Sequence, residues 1–425
     1  MEITVLFLVF FLTLLLGFPI AFCLGLSSMA YLLLAGIPLV SIPLKMYSGL
    51  DVFVLLSIPG FVLAGNIMNR SGITDRIIRF SNHLIGHIRG GLSLANIGAS
   101  MLFAGISGTA VADTASIGSI MIPAMKKEGY KADFSCAVTA SSSTVGPIIP
   151  PSVPMIIAGT LTGLSVGKLF VAGALPGILL AAGLMIVSYF ISVRKKHPKR
   201  PPSTGKQKVL GFFDAFWALM MTVVILVGIV GGIFTPTEAS VVAVIYAILV
   251  GLFIYKELKT RAIPGIILES AITTVSLMIL VGFANLFGWI LILEQVPQTI
   301  AEGMLNLTDN KLLILLLINI LLLIVGSFME TLAALLILFP ILLKVAVGVG
   351  VDPTQFAVIA VLNLIIGLTT PPVGVCLFVA SGIGKVPVER ISRAGIPFLL
   401  VSLLVLLLVT YIPQISLYIP GLFYD

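Results

Sequence analysis

Charge is what this sequence has least of. Only 10% of its 425 residues are Asp, Glu, Lys or Arg, against about a quarter in an ordinary soluble domain. Cysteine and histidine are nearly absent too, with three of each. Cys23, Cys136 and Cys376 stand far apart inside apolar segments, which excludes a zinc spacing and a disulfide framework and reads as small packed hydrophobes. His83 and His87 are i,i+4 neighbours, but they sit among arginines, so a solvated interfacial face accounts for them better than a metal clip. No G-x-x-x-x-G-K-[ST] loop occurs, and ATP hydrolysis is not expected. The start, MEITVLFLVFFLTLLLG, has neither a basic leader nor an obvious cleavage site, so it is read as a retained helix.

Hydrophobic residues are abundant. They make up 59% of the chain, mean hydropathy is +1.20, and apolar runs such as Val223 to Ile233 and Leu312 to Val325 recur from end to end. A globular core cannot bury so many, whereas a bilayer accommodates them. The net charge of +7 does not imply a nucleic acid, because seven of the 24 basic residues fall in one proline-containing stretch, Arg194 to Lys208. The positive-inside rule explains that placement.

This basic loop, 194–210, divides the chain into halves of 1–193 and 211–425. Gly146-Pro147-Ile148-Ile149-Pro150-Pro151 matches Gly367-Leu368-Thr369-Thr370-Pro371-Pro372 at an offset of 221, which also relates Gly105 to Gly326 and Pro176 to Pro397. GFPIA (Gly17 to Ala21) resembles IFTPTEA (Ile233 to Ala239) at 217. Such spacing is the mark of an internal repeat. Apolar segments run over 2–17, 19–37, 52–69, 92–125, 134–160 and 169–193, then 211–230, 236–255, 266–293, 312–343, 353–380 and 395–412. With 92–125 and 312–343 as re-entrant hairpins, ten segments cross. Twenty of the 24 basic residues then lie on the side of the 194–208 loop, and only Lys45, Lys168, Lys311 and Lys344 on the other. A single span over 92–125 would move Lys126, Lys127 and Lys131 across. The two halves are therefore expected to be inverted repeats of an all-α membrane protein, with both termini outside.

The segment 134–160 has 27 residues, about 40 Å as helix against a hydrocarbon core of about 30 Å. Its middle, SSSTVGPIIPPS, predicts a broken helix, because proline removes a donor and clashes with the preceding turn. LIIGLTTPPVG, Leu364 to Gly374, does the same within 353–380. Unwound backbone and hydroxyls at that depth suit a dehydrated sodium ion; the bland alternative is a pair of proline kinks whose hydroxyls bond the preceding turn. Each break is matched by a polar hairpin tip, FAGISGTAVAD (Phe103 to Asp113) and IVGSFMETLAA (Ile324 to Ala334). Asp113 and Glu330 are acidic residues at membrane depth and so functional candidates; Glu238, in PTEA, has a helix start as its plain explanation. Gly105-Ile106-Ser107-Gly108 fits the G-x-S-G nucleophile motif of intramembrane serine proteases, but a histidine base is required and His83, His87 and His197 all fall in loops. No enzyme is expected.

GISGTAVADTASIGSIMIPAMKKEGY, SSSTVGPIIPPS, GIFTPTEA and TTPPVGVCLFVASG resemble the large, DctM-like membrane subunit of tripartite ATP-independent periplasmic (TRAP) transporters, over essentially the whole chain. That resemblance implies an elevator-type ion-transporter fold and sodium-coupled uptake of an organic anion, of the C4-dicarboxylate or sialic acid class. It implies one sodium site at Gly105, Ser107, Gly146 and Ile149 and a second at Gly326, Gly367, Thr370 and Val373, mostly through carbonyls. Thr109, Ser143, Pro150, Glu330 and Asn363 are the substrate-facing candidates. It further implies a separate four-helix membrane subunit, since no fused one precedes Met1, a periplasmic binding protein, no cofactor beyond sodium, and the bacterial inner membrane. The runner-up is a binding-protein-independent sodium/carboxylate symporter of the same superfamily. A passive channel would need a continuous polar stripe, which is missing.

Overall fold

The computed structural model describes residues 2–107, 109–199, 204–296, 299, 303 and 310–424, and the side chains of all of these except 103–107. The described residues form helices and no strand. That follows from the solvent: in hydrocarbon every backbone N–H and C=O must find its partner inside the segment. Among the described residues, eight helical stretches are long and apolar enough to cross a membrane, including Val166–Arg194, Gly205–Val230 and Val388–Tyr411. Apolar side chains cover their outsides as well as their insides: Val241, Ile245, Leu249 and Phe253 are exposed at helical spacing, as are Leu400, Leu404 and Leu408.

In chain order the first half holds α1 (Glu2–Leu15), α2 (Ile20–Leu34), α3 (Ser41–Leu50), α4 (Ser57–Arg70), α5 (Ile73–Ile85), α6 (Gly91–Ser107), α7 (Ala110–Lys127), α8 (Ala132–Ser142), α9 (Val153–Thr162) and α10 (Val166–Arg194). The second holds α11 (Gly205–Val230), α12 (Pro236–Leu249), α13 (Ile263–Leu293), α14 (Lys311–Phe328), α15 (Thr331–Gly348), α16 (Pro353–Gly367), α17 (Val375–Gly384), α18 (Val388–Tyr411) and α19 (Gln414–Phe423). The sequence reading lacked α3, α5 and α19. All are short, and α5 is amphipathic rather than apolar: Ile73, Ile77 and Ile78 are buried on one side while Asp75 and Arg79 stay out. Helices α1 and α2 are shorter than the segments assigned to them. At 14 and 15 residues they span only about 21–23 Å, because Gly17 at φ +81° and Pro19 stop one and start the other.

Two groups of helices emerge from the contacts. In one, α4 packs on α12, α2 and α3 on α13, and α11 on α5 and α12. In the other, α14 packs on α16, α10 on α18, and α7 on α8. Helix α5 packs on the hairpin helix α6 as well as on α11, and a polar cluster links it to the first group. Arg76 pairs with Glu257 at 2.7 Å and Asp214 at 3.1 Å, with its guanidinium 3.9 Å above the Tyr255 ring; a planar fork of donors fits two carboxylates and a ring face at once.

His197 departs from the sequence reading. It is not a solvated loop residue but is buried beyond α10, its ring 4.7 Å from those of both Tyr130 and Phe134 and its Nδ1 3.1 Å from Ser192 Oγ. Burial, with the Lys195 charge behind it, holds its pKa below the ordinary histidine value. A histidine depressed in the fold is neutral there, and acid favours the open form below the unfolded pKa of about 6.5. Protection of the amides of Lys195, Lys196 and His197, which donate to the Ile191, Val193 and Ser192 carbonyls, is expected, corrected for intrinsic exchange, to be higher at pH 8 than at pH 5. In His197→Phe that difference should vanish.

Candidate functional site

Both long segments with central prolines are interrupted. Between α8 and α9 the chain is non-helical over 143–152, and between α16 and α17 over 368–374; Pro150-Pro151 and Pro371-Pro372 are cis. Ser152 restarts the first segment, its Oγ accepting from Met155 N at 3.2 Å and donating to the Pro147 carbonyl. The second restarts at Gly374, where φ is +60°, a conformation that glycine adopts without cost. Ahead of each break the hydroxyls turn back. Ser143 donates to Thr139 O at 2.9 Å, and Thr369 and Thr370 donate to Ile366 O at 2.9 and 3.0 Å. A hydroxyl that gives its hydrogen to a carbonyl keeps its lone pairs, so these bonds leave acceptor capacity toward a cation.

The second hairpin, α14 and α15, meets the second break through backbone. A Cβ on Gly367 would stand 2.6 Å from Gly326 Cα, and one on Gly326 would stand 3.0 Å from Leu364 O. At Gly367 no L side chain fits unless backbone shifts, and at Gly326 the neighbouring carbonyl would have to give way. Gly374 N also donates to Ser327 O at 3.0 Å. Gly326, Gly367 and Thr370 are thus gathered at one place, with Val373 half-buried in the same loop. At the first break, Gly146 is buried and Ile149 packs its side chain on Gly177 of α10. Helix α6 extends through Gly105 to Ser107, whose side chain lies outside the described ones. Thr109 caps α7, Oγ1 accepting from Ala112 N at 3.3 Å.

The acidic candidates differ in kind. Glu330 caps α15, accepting from Leu332 N at 2.8 Å and Ala333 N at 3.3 Å, where the helix dipole favours a negative charge. Asp113 is wholly buried, and among the described residues neither of its carboxylate oxygens has a hydrogen-bond partner at bonding geometry; the hydroxyls of Ser100 and Ser143 are its polar neighbours. Both carboxylates lie within electrostatic reach of Cys376 at the start of α17, so the two hairpins converge on one polar interior. A buried carboxylate whose neighbouring hydroxyls donate elsewhere, Ser100 to Ser142 and Ser143 to Thr139 O, is stabilised by a cation or a proton. Glu238 closes a capping box with Thr235, at 3.2 Å and 2.8 Å, and so has a helix-start role.

Pro150 is buried, and the Asn363 side chain faces away from any opening: its Nδ2 donates to Asn319 O at 2.9 Å and Oδ1 at 2.8 Å, and Asn319 in turn donates to Thr410 Oγ1 at 3.0 Å. At the first break, Asn96 Nδ2 bonds Thr139 Oγ1 at 2.6 Å and Ser100 bonds Ser142 at 3.1 Å. These clamps, which hold each hairpin to the helix entering its break, escaped the sequence reading. The asparagines at 96, 319 and 363 were the available signal, since an amide inside an apolar helix must find a partner.

The family model for the DctM component of the tripartite ATP-independent periplasmic transporter matches residues 7–415. The chain belongs to that family. It is 42% identical over 408 residues to the large permease protein SiaM of a sialic acid TRAP transporter of Vibrio cholerae, with 96% of each chain covered. It is 42% identical to the large permease protein DctM of a C4-dicarboxylate TRAP transporter of Pseudomonas aeruginosa, covering 90% of this chain and 89% of that one. The isethionate TRAP permease DctMQ of Oleidesulfovibrio alaskensis is 42% identical over 422 residues, and this chain spans 66% of its length. These relatives are transporter permeases, not enzymes. Among solved structures, the YdaH transporter of Alcanivorax borkumensis aligns with a TM-score of 0.60 at 15% identity, covering 89% of this chain and 87% of that one. MtrF of Neisseria gonorrhoeae aligns at 0.59 and 13% identity, covering 88% and 83%. Both likenesses concern the fold. The TRAP permease thus has the polytopic helical architecture expected of it.

Proposed function

We propose that this TRAP permease couples an inward sodium gradient to uptake of an organic anion, of the C4-dicarboxylate or sialic acid class, delivered by a periplasmic binding protein. The observation that carries the reading is the meeting of a hairpin tip with a helix break, backbone against backbone, at Gly326 and Gly367. Such a junction puts carbonyls and the hydroxyl of Thr370 around a space with no side-chain charge of its own. Sodium takes several hard oxygens of that kind, and the buried carboxylate of Asp113, without a hydrogen-bond partner at bonding geometry among the described residues, favours a cation in the same interior.

Ion sites comprise Gly105, Ser107, Gly146 and Ile149 at the first junction and Gly326, Gly367, Thr370 and Val373 at the second. Thr109, Ser143, Pro150, Glu330 and Asn363 remain the substrate candidates; Asn363 acts through its hold on α14 rather than by contact. The halves 1–193 and 211–425 form inverted repeats joined by the basic linker 194–210. Their contacts support this, because α9 packs on α15 and α16 while α17 packs on α7 and α8, each half reaching into the other in the same way. Hairpins and broken helices move as one body past α4, α11, α12 and α13, in an elevator cycle. A small four-helix membrane subunit accompanies them in the inner membrane, and both termini are periplasmic. A reporter fused after Tyr424 is expected to read as periplasmic, and a cytoplasmic signal would overturn the layout; the terminal Asp425 and most of the loop 294–310 lie outside the described residues.

In vesicles, Thr370→Val and Ser107→Ala should each raise the sodium concentration for half-maximal uptake several-fold while leaving some uptake, since carbonyl ligands survive. Ser402→Ala, whose hydroxyl only bonds Phe398 O at 2.9 Å, is the unchanged control. Wild-type sodium dependence in both site variants would remove the hydroxyls from the assignment.

A further inference from the structure

Between the two groups of helices, at the ends where Lys45 and Lys344 lie, is a cavity of about 360 Å³. One wall is α3 and α13, with Lys45, Asn285, Gly288 and Trp289; the other is α9 and α15, with Thr160, Leu336 and Lys344. The floor is apolar: Leu55, Ile157, Val281 and Ile341. None of the ion or substrate candidates lines it.

Its polar groups are mostly spent. Asn285 Nδ2 donates to Lys45 O at 2.7 Å, Ser48 Oγ to the same carbonyl at 3.1 Å, and Thr160 Oγ1 to Ile156 O at 2.9 Å. The two ammonium groups are not spent. No acidic residue lines the cavity, and among the described residues neither lysine is paired with a carboxylate. Lys45 Nζ stands 4.7 Å over the Trp289 ring, on the cavity wall. Two cations unpaired with any carboxylate among the described residues, beside an apolar floor, suit a ligand that is anionic at one end and apolar at the other; a small dianion would meet the ammonium donors but lose hydration against leucine and isoleucine.

We infer that this cavity binds an amphiphile with an anionic head and a single apolar tail, the head between Lys45 and Lys344 and the tail along Ile157, Leu336 and Ile341. The volume lies within the range of small-molecule sites. Two sources supply this chemistry: an anionic phospholipid of the outer leaflet, with one of its two acyl chains entering the cavity, and a free fatty carboxylate. The walls belong to the two bodies whose relative movement the proposed function requires, so an occupant would hold them together; that consequence rests on the proposed function, whereas binding itself does not.

Trp289 makes the test direct. The chain has two tryptophans, so Trp217→Phe leaves Trp289 as the sole reporter. In nanodiscs of phosphatidylcholine, 12-bromododecanoate is expected to quench Trp289 fluorescence saturably. Gly288→Leu should abolish this: Gly288 lines the cavity and a Cβ there meets nothing within 4 Å, so the added side chain is expected to occupy the cavity. The double variant Lys45→Gln, Lys344→Gln should raise half-saturation at least about tenfold, about 1.4 kcal/mol, and decides the matter should Gly288→Leu not fold. Brominated phosphatidylglycerol quenching beyond brominated phosphatidylcholine, lost in the lysine variant, assigns the occupant to the bilayer; response to dodecanoate alone assigns it to the free carboxylate. Quenching that rises linearly, is matched by 12-bromododecanol, or persists unchanged in both variants overturns the inference.

Discussion

Gly367→Val is expected to lower sodium-driven uptake by at least about a hundred-fold, or about 2.7 kcal/mol, at normal membrane expression. The added Cβ alone would meet Gly326 Cα at 2.6 Å, and the obstacle is backbone. Overpacking of an interior typically costs about 1–3 kcal/mol when side chains can shift; here the hairpin tip itself must move from the break. Stabilisation of the purified protein by sodium should disappear along with uptake, because the ligands on the two segments would no longer face one another. Gly382→Ala is the control, since a Cβ there meets nothing within 4 Å on the same short helix α17. Uptake near wild type in Gly367→Val would show that the two glycines do not form the ion site.

The second large effect is electrical. If two sodium ions enter with each monoanion, one net positive charge moves inward per cycle. At about 100 mV, inside negative, that supplies about 2.3 kcal/mol, or roughly fifty-fold in accumulation at equilibrium. Vesicles with sodium outside and a sodium-free interior, with the potential clamped at zero or about −100 mV, should differ by that factor when substrate-loaded binding protein is outside. Equal accumulation at both potentials would mean electroneutral coupling, and equal uptake without the binding protein would favour the symporter that takes its substrate directly from solution.

Long-range partnership was the hardest thing to read from residues alone. Asn319 and Asn363 are 44 residues apart, in apolar runs read as a re-entrant hairpin and a broken helix, so nothing local says that each amide answers the other. Asp113 stood out by its charge, but that neither of its oxygens has a hydrogen-bond partner among the described residues is a property of the packed interior. His197 looked like one more member of a basic loop until Tyr130 and Phe134 closed over it.

What the sequence determined by itself is the solvent and the interruptions. Scarcity of charge with long apolar runs dictates helices in a bilayer, because every other arrangement strands backbone groups in hydrocarbon. The proline and glycine clusters at 146–151 and 367–374 dictate where those helices break, since proline's missing donor and fixed φ act locally. Amphipathic α5 and the short α3 and α19 lacked so strong a local signal and took their shape from neighbours. Only the tertiary structure decided which hairpin tip meets which break, how the asparagine clamps pair, and that Lys45 and Lys344, nearly 300 residues apart, share one cavity. Those outcomes depend on contacts between segments far apart in the chain, and no periodicity within a segment carries them.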